Sequence, residues 1–447
     1  MYSFSKKLKI SAIVFMILGA LGIAYGFLTI PNSIEDVKQL TEQQNQEHNA
    51  ANEIEQNANL VAENNAGVSE GTESEYLTHA LHSLQNRPYA AIFIAMFFFF
   101  MIALGTLAFY AIQYASQAGW SIVLFRVMEG ITAYLLPGSL FILAFLIISV
   151  ANGHYFYVWM NPDFYNPQSE LYDEMLVGKS WWLNVPFWMM RTFIYLLGWN
   201  IYRYFAVKHS LAQDSGVDLT HYKKNFKASI FFLLFFVVSE SMMSWDWIMS
   251  LTPHWLSTLF GWYIFSTLFV SSITVIAMVT IYLKVKGFLP QVNNSHFHDL
   301  AKYMFGFSIF WTYLWFSQFM LIWYANMPEE TAYFTPRLLG TYQLLFMGML
   351  ILNFVFPILV LMDSDFKRIP WFIISTGIII LLGHYIDIFV MISPATVGNH
   401  WQIGIPEISS ILFFLGLFIY VVFNALTKSP LNAKGNPFIT ESEHFHY

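Results

Sequence analysis

The chain has 447 residues, 57% of them hydrophobic and only 11% charged, with 45 phenylalanines and no cysteine. Soluble domains carry about 25% charged residues, so this composition describes a polytopic membrane protein. The lack of cysteine excludes disulfides, a c-type haem attachment motif and cysteine-ligated iron–sulfur clusters in this chain, and the net charge of −7 gives no reason to expect a nucleic-acid partner.

Apolar runs of about 20 residues mark helical spans. Ten are read, at about 8–28, 89–115, 122–150, 184–206, 226–251, 257–283, 300–325, 339–362, 368–392 and 406–427. The expected fold class is therefore all-α, with about ten transmembrane helices. Lys6, Lys7 and Lys9 before the first span resemble a signal-peptide flank. Its apolar core is too long and Tyr25-Gly-Phe-Leu-Thr-Ile is a poor cleavage site, so residues 1–30 read as an anchor.

The polar loop over 31–88 holds ten carboxylates, and its middle is expected to be mobile or only locally helical. Within it, Tyr76, Leu77, Ala80, Leu81 and Leu84 have the spacing of an amphipathic helix, expected to lie along the outer membrane face or on a partner. The loop over 152–183 is aromatic and acidic, from His154-Tyr-Phe-Tyr-Val-Trp to Asp163, Glu170, Asp173 and Glu174. Such a loop is expected to fold against the membrane surface or under another subunit. Of the 21 Lys and Arg, sixteen fall on the side of the N-terminus, four on the other side and Arg191 within a span. That asymmetry predicts cytoplasmic termini and an acidic outer face.

Spans two to five and six to nine share one alternation of direction, which suggests a tandem repeat. Arg126-Val-Met128-Glu-Gly130 in span three echoes Lys302-Tyr-Met304-Phe-Gly306 in span seven. In span five, Asp246 precedes Pro253 by seven residues, as Asp387 precedes Pro394 in span nine. The expected organisation is a four-helix bundle over 89–256, a second over 257–396, and peripheral spans one and ten, the last followed by a tail within 397–447.

An ionisable group at bilayer depth costs roughly 2.5 kcal/mol or more unless it meets a partner or water. Glu129, Arg191, Glu240 and Asp246 in the first bundle, with His384 and Asp387 in the second, are therefore the candidates for a proton path or quinone contact; Gln318 supports them. His384 and Asp387, three apart, share a helix face. Glu240 and Asp246, six apart, are separated by about 240° and do not. Each group also has a plainer reading as an internal helix lock, Arg191 with Asp246 or Arg126 with Glu129. His154 and His254 read as interfacial, and Trp245, Trp247, Trp255 and Trp262 as an aromatic belt. His384 is the only histidine well inside a span, which argues against a bis-histidine haem. No redox metal site is expected.

Two longer stretches carry a resemblance. Gly178-Lys-Ser-Trp-Trp-Leu-Asn-Val-Pro-Phe-Trp-Met-Met-Arg191 enters span four, and Trp315-Phe-Ser-Gln-Phe-Met-Leu-Ile-Trp-Tyr-Ala-Asn-Met-Pro-Glu-Glu-Thr331 ends span seven. With the ten-span pattern they resemble the NrfD-like, polysulfide-reductase-type membrane subunits of bacterial alternative complex III, a quinol:cytochrome c oxidoreductase. The short N-terminus and long polar outer loop are similar to the second, smaller such subunit. The resemblance implies two four-helix bundles, residence in the bacterial inner membrane, and a chain that scaffolds an electron-transport complex without redox chemistry of its own. It implies as partners the other NrfD-like subunit, a periplasmic iron–sulfur subunit and c-type haem subunits. It also implies proton translocation or contact with a quinone or menaquinol, with no haem or iron–sulfur cluster here. Asn326-Met-Pro-Glu-Glu330 reads as a docking surface. A standalone secondary transporter and a purely structural scaffold are the competing readings; few Gly or Pro breaks fall at mid-span, against the transporter.

Overall fold

A computed structural model of the chain describes residues 2–31, 33–38, 70–151, 156–216 and 218–446. The middle of the first outer loop and His154 lie outside the described residues.

The protein is an all-α polytopic membrane protein. Its long helices are α1 (Lys6–Leu28), α2 (Glu70–Ala115), α3 (Phe125–Thr132) with α4 (Leu135–Ala151), α5 (Val185–Gln213), α6 (Thr220–Trp247), α7 (Phe260–Val285), α8 (Asn294–Ala325), α9 (Gln343–Leu350) with α10 (Phe356–Leu361), α11 (Pro370–Thr396) and α12 (Ile405–Leu426). Nine of the described segments are long and apolar enough to cross a bilayer. The tenth expected span is the 29-residue α5, whose Arg191, Asn200 and Arg203 make it more polar. Local signals set the boundaries. Asn184 caps α5 by accepting from the Phe187 N–H, with Pro186 in the first turn. Asn293 and His296 form a capping box on α8, which Asn326 ends in the left-handed conformation at φ 48°.

The helices pack as two four-membered rings. In the first, α2 touches α4, α4 touches α5, α5 touches α6, and α6 returns to α2. In the second, α7, α8, the α9–α10 segment and α11 close in the same way. α2 and α7 join the rings; their most apolar windows are 94% and 89% buried, against 17% for the peripheral α1. α1 lies along α12 with almost no gap. A Cβ on Gly19 would stand 2.5 Å from the Phe413 backbone nitrogen, and one on Gly416 2.6 Å from the Ala12 carbonyl oxygen. Arg87 on α2 forms a two-bond ion pair with Glu407 on α12, at 2.8 and 2.9 Å.

Three expectations change. The amphipathic stretch before span two is no separate surface helix. It continues into the span as one helix from Glu70, and its Leu77 and Ala80 cover Val37. Span three is broken into a 3-10 turn over Gly119–Leu124, α3 and α4. The second outer loop folds into the end of its own bundle. Phe156, Tyr157 and Trp159 are buried, and the Tyr157 hydroxyl donates to the Trp247 carbonyl at 3.0 Å. The echo between Asp246 and Asp387 is also imperfect: α6 ends just past Asp246, while α11 runs on through Pro394.

Candidate functional site

The candidate groups gather into three clusters and one isolated carboxyl. The end of each bundle that carries the N-terminus is called inner here.

Asp246 ends α6 on a face turned toward α5. Arg191 reaches it from the first turns of α5, Nε donating to Oδ2 at 2.8 Å and Nη2 to Oδ1 at 2.7 Å. Tyr195, one turn further along α5, donates to Oδ2 at 3.0 Å. Trp182, in the loop before α5, donates its indole N–H to Oδ1 at 3.0 Å. The guanidinium also donates to the Trp182 carbonyl and lies 4.0 Å from that indole ring. Both carboxylate oxygens are thus bonded, and the geometry is the fork-to-carboxylate fit that makes a buried ion pair tolerable.

At the inner end, Arg126 and Glu129 are one turn apart on α3. Arg126 Nη1 donates to Glu129 at 2.6 Å and Nη2 to Asp214 at 2.5 Å, while Tyr110 donates to the other Glu129 oxygen at 3.0 Å. Asp214 follows α5 and in turn accepts from the Gly435 N–H of the C-terminal tail at 3.1 Å.

The second bundle repeats the outer acid without its arginine fork. Asp387 accepts from the Tyr263 hydroxyl, from Thr267 at 3.1 Å and from the Trp311 indole at 3.1 Å. Its helix neighbour His384 has Nδ1 3.7 Å from Oδ2, beyond hydrogen-bond reach, and the edge of its ring meets Trp311. Arg337, one of the four cations that the sequence places on the side away from the N-terminus, is buried. Its guanidinium donates to the carbonyls of Tyr333, Val390 and Met391 and stacks on the Tyr333 ring at 3.5 Å. Arg337 and Asp387 border the same small void.

Glu240 stands apart. It lies two turns inward of Asp246 on α6, is 2% exposed, and its Oε1 is buried with no hydrogen-bond partner among the described residues. Gln318, the supporting residue, is buried and borders the void beside Asp387.

The tryptophans divide. Trp262 is exposed as a belt residue should be. Trp247 is buried, donating to Thr192 at 3.0 Å, and Trp255 is buried with its ring stacked on Tyr333 at 3.9 Å. A cavity of about 370 Å3 opens beside them, walled by Trp181, Trp182, Trp245, Trp255 and Leu256, with Lys179 at its edge. The indole N–H groups of Trp245 and Trp255 are buried without acceptors among the described residues.

On the outer surface His254 is an interfacial residue with a partner: its Nε2 lies 2.5 Å from Asp173, which also caps the short helix Glu174–Lys179. Partial burial pushes the Asp173 carboxyl upward, but the N–H groups of Leu176 and Met175 together with His254 outweigh it, so its pKa falls below the usual value.

Among the described residues no three His, Asp or Glu side chains gather as a metal-binding group. No family model matches the chain, and no curated protein matches it.

Sequence reasoning missed Tyr195, Trp182, Tyr110, Asp214, Tyr263, Thr267, Trp311 and Arg337 as members of these clusters. Most are aromatic or small polar residues, indistinguishable in an apolar run from packing or belt residues. Arg337 had one signal, a cation directly after Pro336 at a helix start, but no charge pattern to mark it as buried.

Proposed function

We propose that this chain is an NrfD-like membrane subunit of a respiratory quinol:electron-acceptor oxidoreductase of the alternative complex III kind, residing in the bacterial inner membrane with cytoplasmic termini. It scaffolds the complex and handles protons, and it carries no redox group of its own. The observation that carries the proton reading is Glu240. A buried carboxyl with an unpaired oxygen has a reason to persist when it takes up and releases protons, because a merely structural acid is held by partners, as Asp246 is. Glu129 at the inner end, Glu240 at mid-span and the Asp246 and His384–Asp387 clusters at the outer end supply ionisable groups staggered in depth. The steps between them exceed hydrogen-bond reach, so water completes them.

The exposed Asn326, Met327, Pro328 and Glu329 at the outer end of α8 fit the docking surface for the haem and iron–sulfur partners. A tagged copy of the chain, purified from its native membrane in mild detergent, is expected to bring c-type haem absorbance and an iron–sulfur signal with it. A homogeneous chain without either sinks the assignment.

A second reading, quinone contact, is favoured by the indole-walled cavity. Its volume suits a ring-sized ligand, its walls are apolar, and two unpaired N–H donors match the carbonyl acceptors of a quinone or menaquinone. Trp182 links that cavity to Asp246. Labelling by a photoreactive quinone analogue is expected to fall several-fold in Trp255→Phe, and unchanged labelling removes this reading.

A further inference from the structure

The inner side of His384 holds a group that none of these clusters uses. Between α9 and α10 the chain makes one π-turn, Ile351–Val355. Such turns are rare and concentrate at functional sites, since the wider turn aims side chains in directions an α-helix cannot. Here it carries Asn353 into the bundle. The side chain is fully buried, and neither its Oδ1 nor its Nδ2 has a hydrogen-bond partner among the described residues. The π-segment packs on α8 and α11. On α11 the carboxamide lies against Gly383, where a Cβ would stand 2.1 Å from Asn353 Oδ1, so only glycine leaves it room. The next residue is His384, whose Nδ1 and Nε2 are likewise buried and unpaired.

Four buried polar atoms, two on Asn353 and two on the residue that follows Gly383, therefore have no partner among the described residues. Buried polar atoms in native proteins are satisfied by protein or by ordered water, and one direct Asn–His bond would use only two of these four. On the outer side of Asp387 the void shared with Gln318 and Trp315 measures about 10 Å3, room for roughly one water. Further inward on α11, about 12 Å from His384, Thr376 is buried with its hydroxyl unpaired among the described residues, so polar groups continue in that direction.

We infer that Asn353 and His384 enclose ordered water, and that this hydrated site passes protons between the His384–Asp387 pair and the inner half of the second bundle. The step is a proton exchange only. Water gives a proton to one ring nitrogen as the other ring nitrogen releases one toward Asp387, and the water is reprotonated from the inner side. Asn353 does not titrate; it orients the water and is a positioning residue. The transport half of this inference rests on the proton-handling reading, whereas the water itself does not.

The test uses the intact complex, with Asn353→Leu to remove the polar atoms at similar volume and Asn353→Asp to restore one. A density map that resolves ordered water is expected to show it bridging Asn353 and His384 in the wild type. Asn353→Leu is expected to slow proton uptake about tenfold or more, and Asn353→Asp to recover most of the rate. A dry site with Asn353 bonded directly to His384 overturns the inference. Bridging water with a wild-type uptake rate in Asn353→Leu overturns the relay role. A wild-type complex that takes up no protons, with the water present, instead fails the proton-handling reading and leaves the site standing.

Discussion

At the scale of single residues, what separates the buried acids is their company. Asp246 has a guanidinium fork, a tyrosine and an indole on its two oxygens; Glu240 has an oxygen with nothing. Opposite consequences follow for substitution. Asp246→Ala strands a buried Arg191 and is expected to cost about 3–5 kcal/mol, seen as loss of monodisperse protein on size-exclusion of solubilised membranes. Glu240→Gln removes no bond seen among the described residues and is expected to leave that profile unchanged. Outside the membrane, Asp173 offers a pH test. Its pKa is lower folded than unfolded, so its stabilisation is complete above the unfolded value of about 3.9 and is lost as pH falls through the folded value. Amide-exchange protection of Glu174–Lys179 is expected to weaken below about pH 4, and Asp173→Asn to remove that acid step. Both acids of the Asp–Pro echo were legible from spacing. So was the lock of Asp246 with Arg191; that Tyr195 and Trp182 complete its cluster was not, because they lie 51 and 64 positions from Asp246 in sequence and only folding joins them.

At the scale of elements, the spans could be read because bilayer thickness demands long apolar runs whatever their packing. The exceptions are the places where local chemistry interrupts such a run. The π-turn at Asn353 and the break between α3 and α4 leave no mark in hydropathy, since their residues are as apolar as the helices around them. The helix over 70–115 outruns its apolar segment because nothing in its polar first half forbids helix, and Pro88 is accommodated within it. Close approach of α1 and α12 was equally hidden, as it depends on which glycines face each other. Gly19→Leu is expected to separate the pair and to cost roughly 1–3 kcal/mol through overpacking, lowering the melting temperature of the purified protein. An unchanged melting temperature would show that α1 is not held by this contact.

At the scale of the molecule, the two rings meet along α2 and α7, and the C-terminal tail ties their inner ends together. Ser442 accepts from the Val123 N–H at 3.1 Å and donates to the Trp120 carbonyl at 2.7 Å, while Asn293 donates to the Phe445 carbonyl at 2.7 Å. Gly435 fits so closely that a Cβ there would stand 2.0 Å from the Gln213 carbonyl oxygen. Gly435→Ala is therefore expected to lift the tail, raising amide exchange over 431–445 and weakening Asp214 as the second partner of Arg126. Retained protection in that variant would contradict the packing described.

The proposed role of Glu240 as a proton carrier inside a quinol-oxidising complex is tested most directly by the proton-to-electron ratio of the complex in sealed vesicles, wild type against Glu240→Gln. The variant is expected to assemble and transfer electrons but to move fewer protons per electron. An unchanged ratio, with electron transfer also at the wild-type rate, would contradict that role.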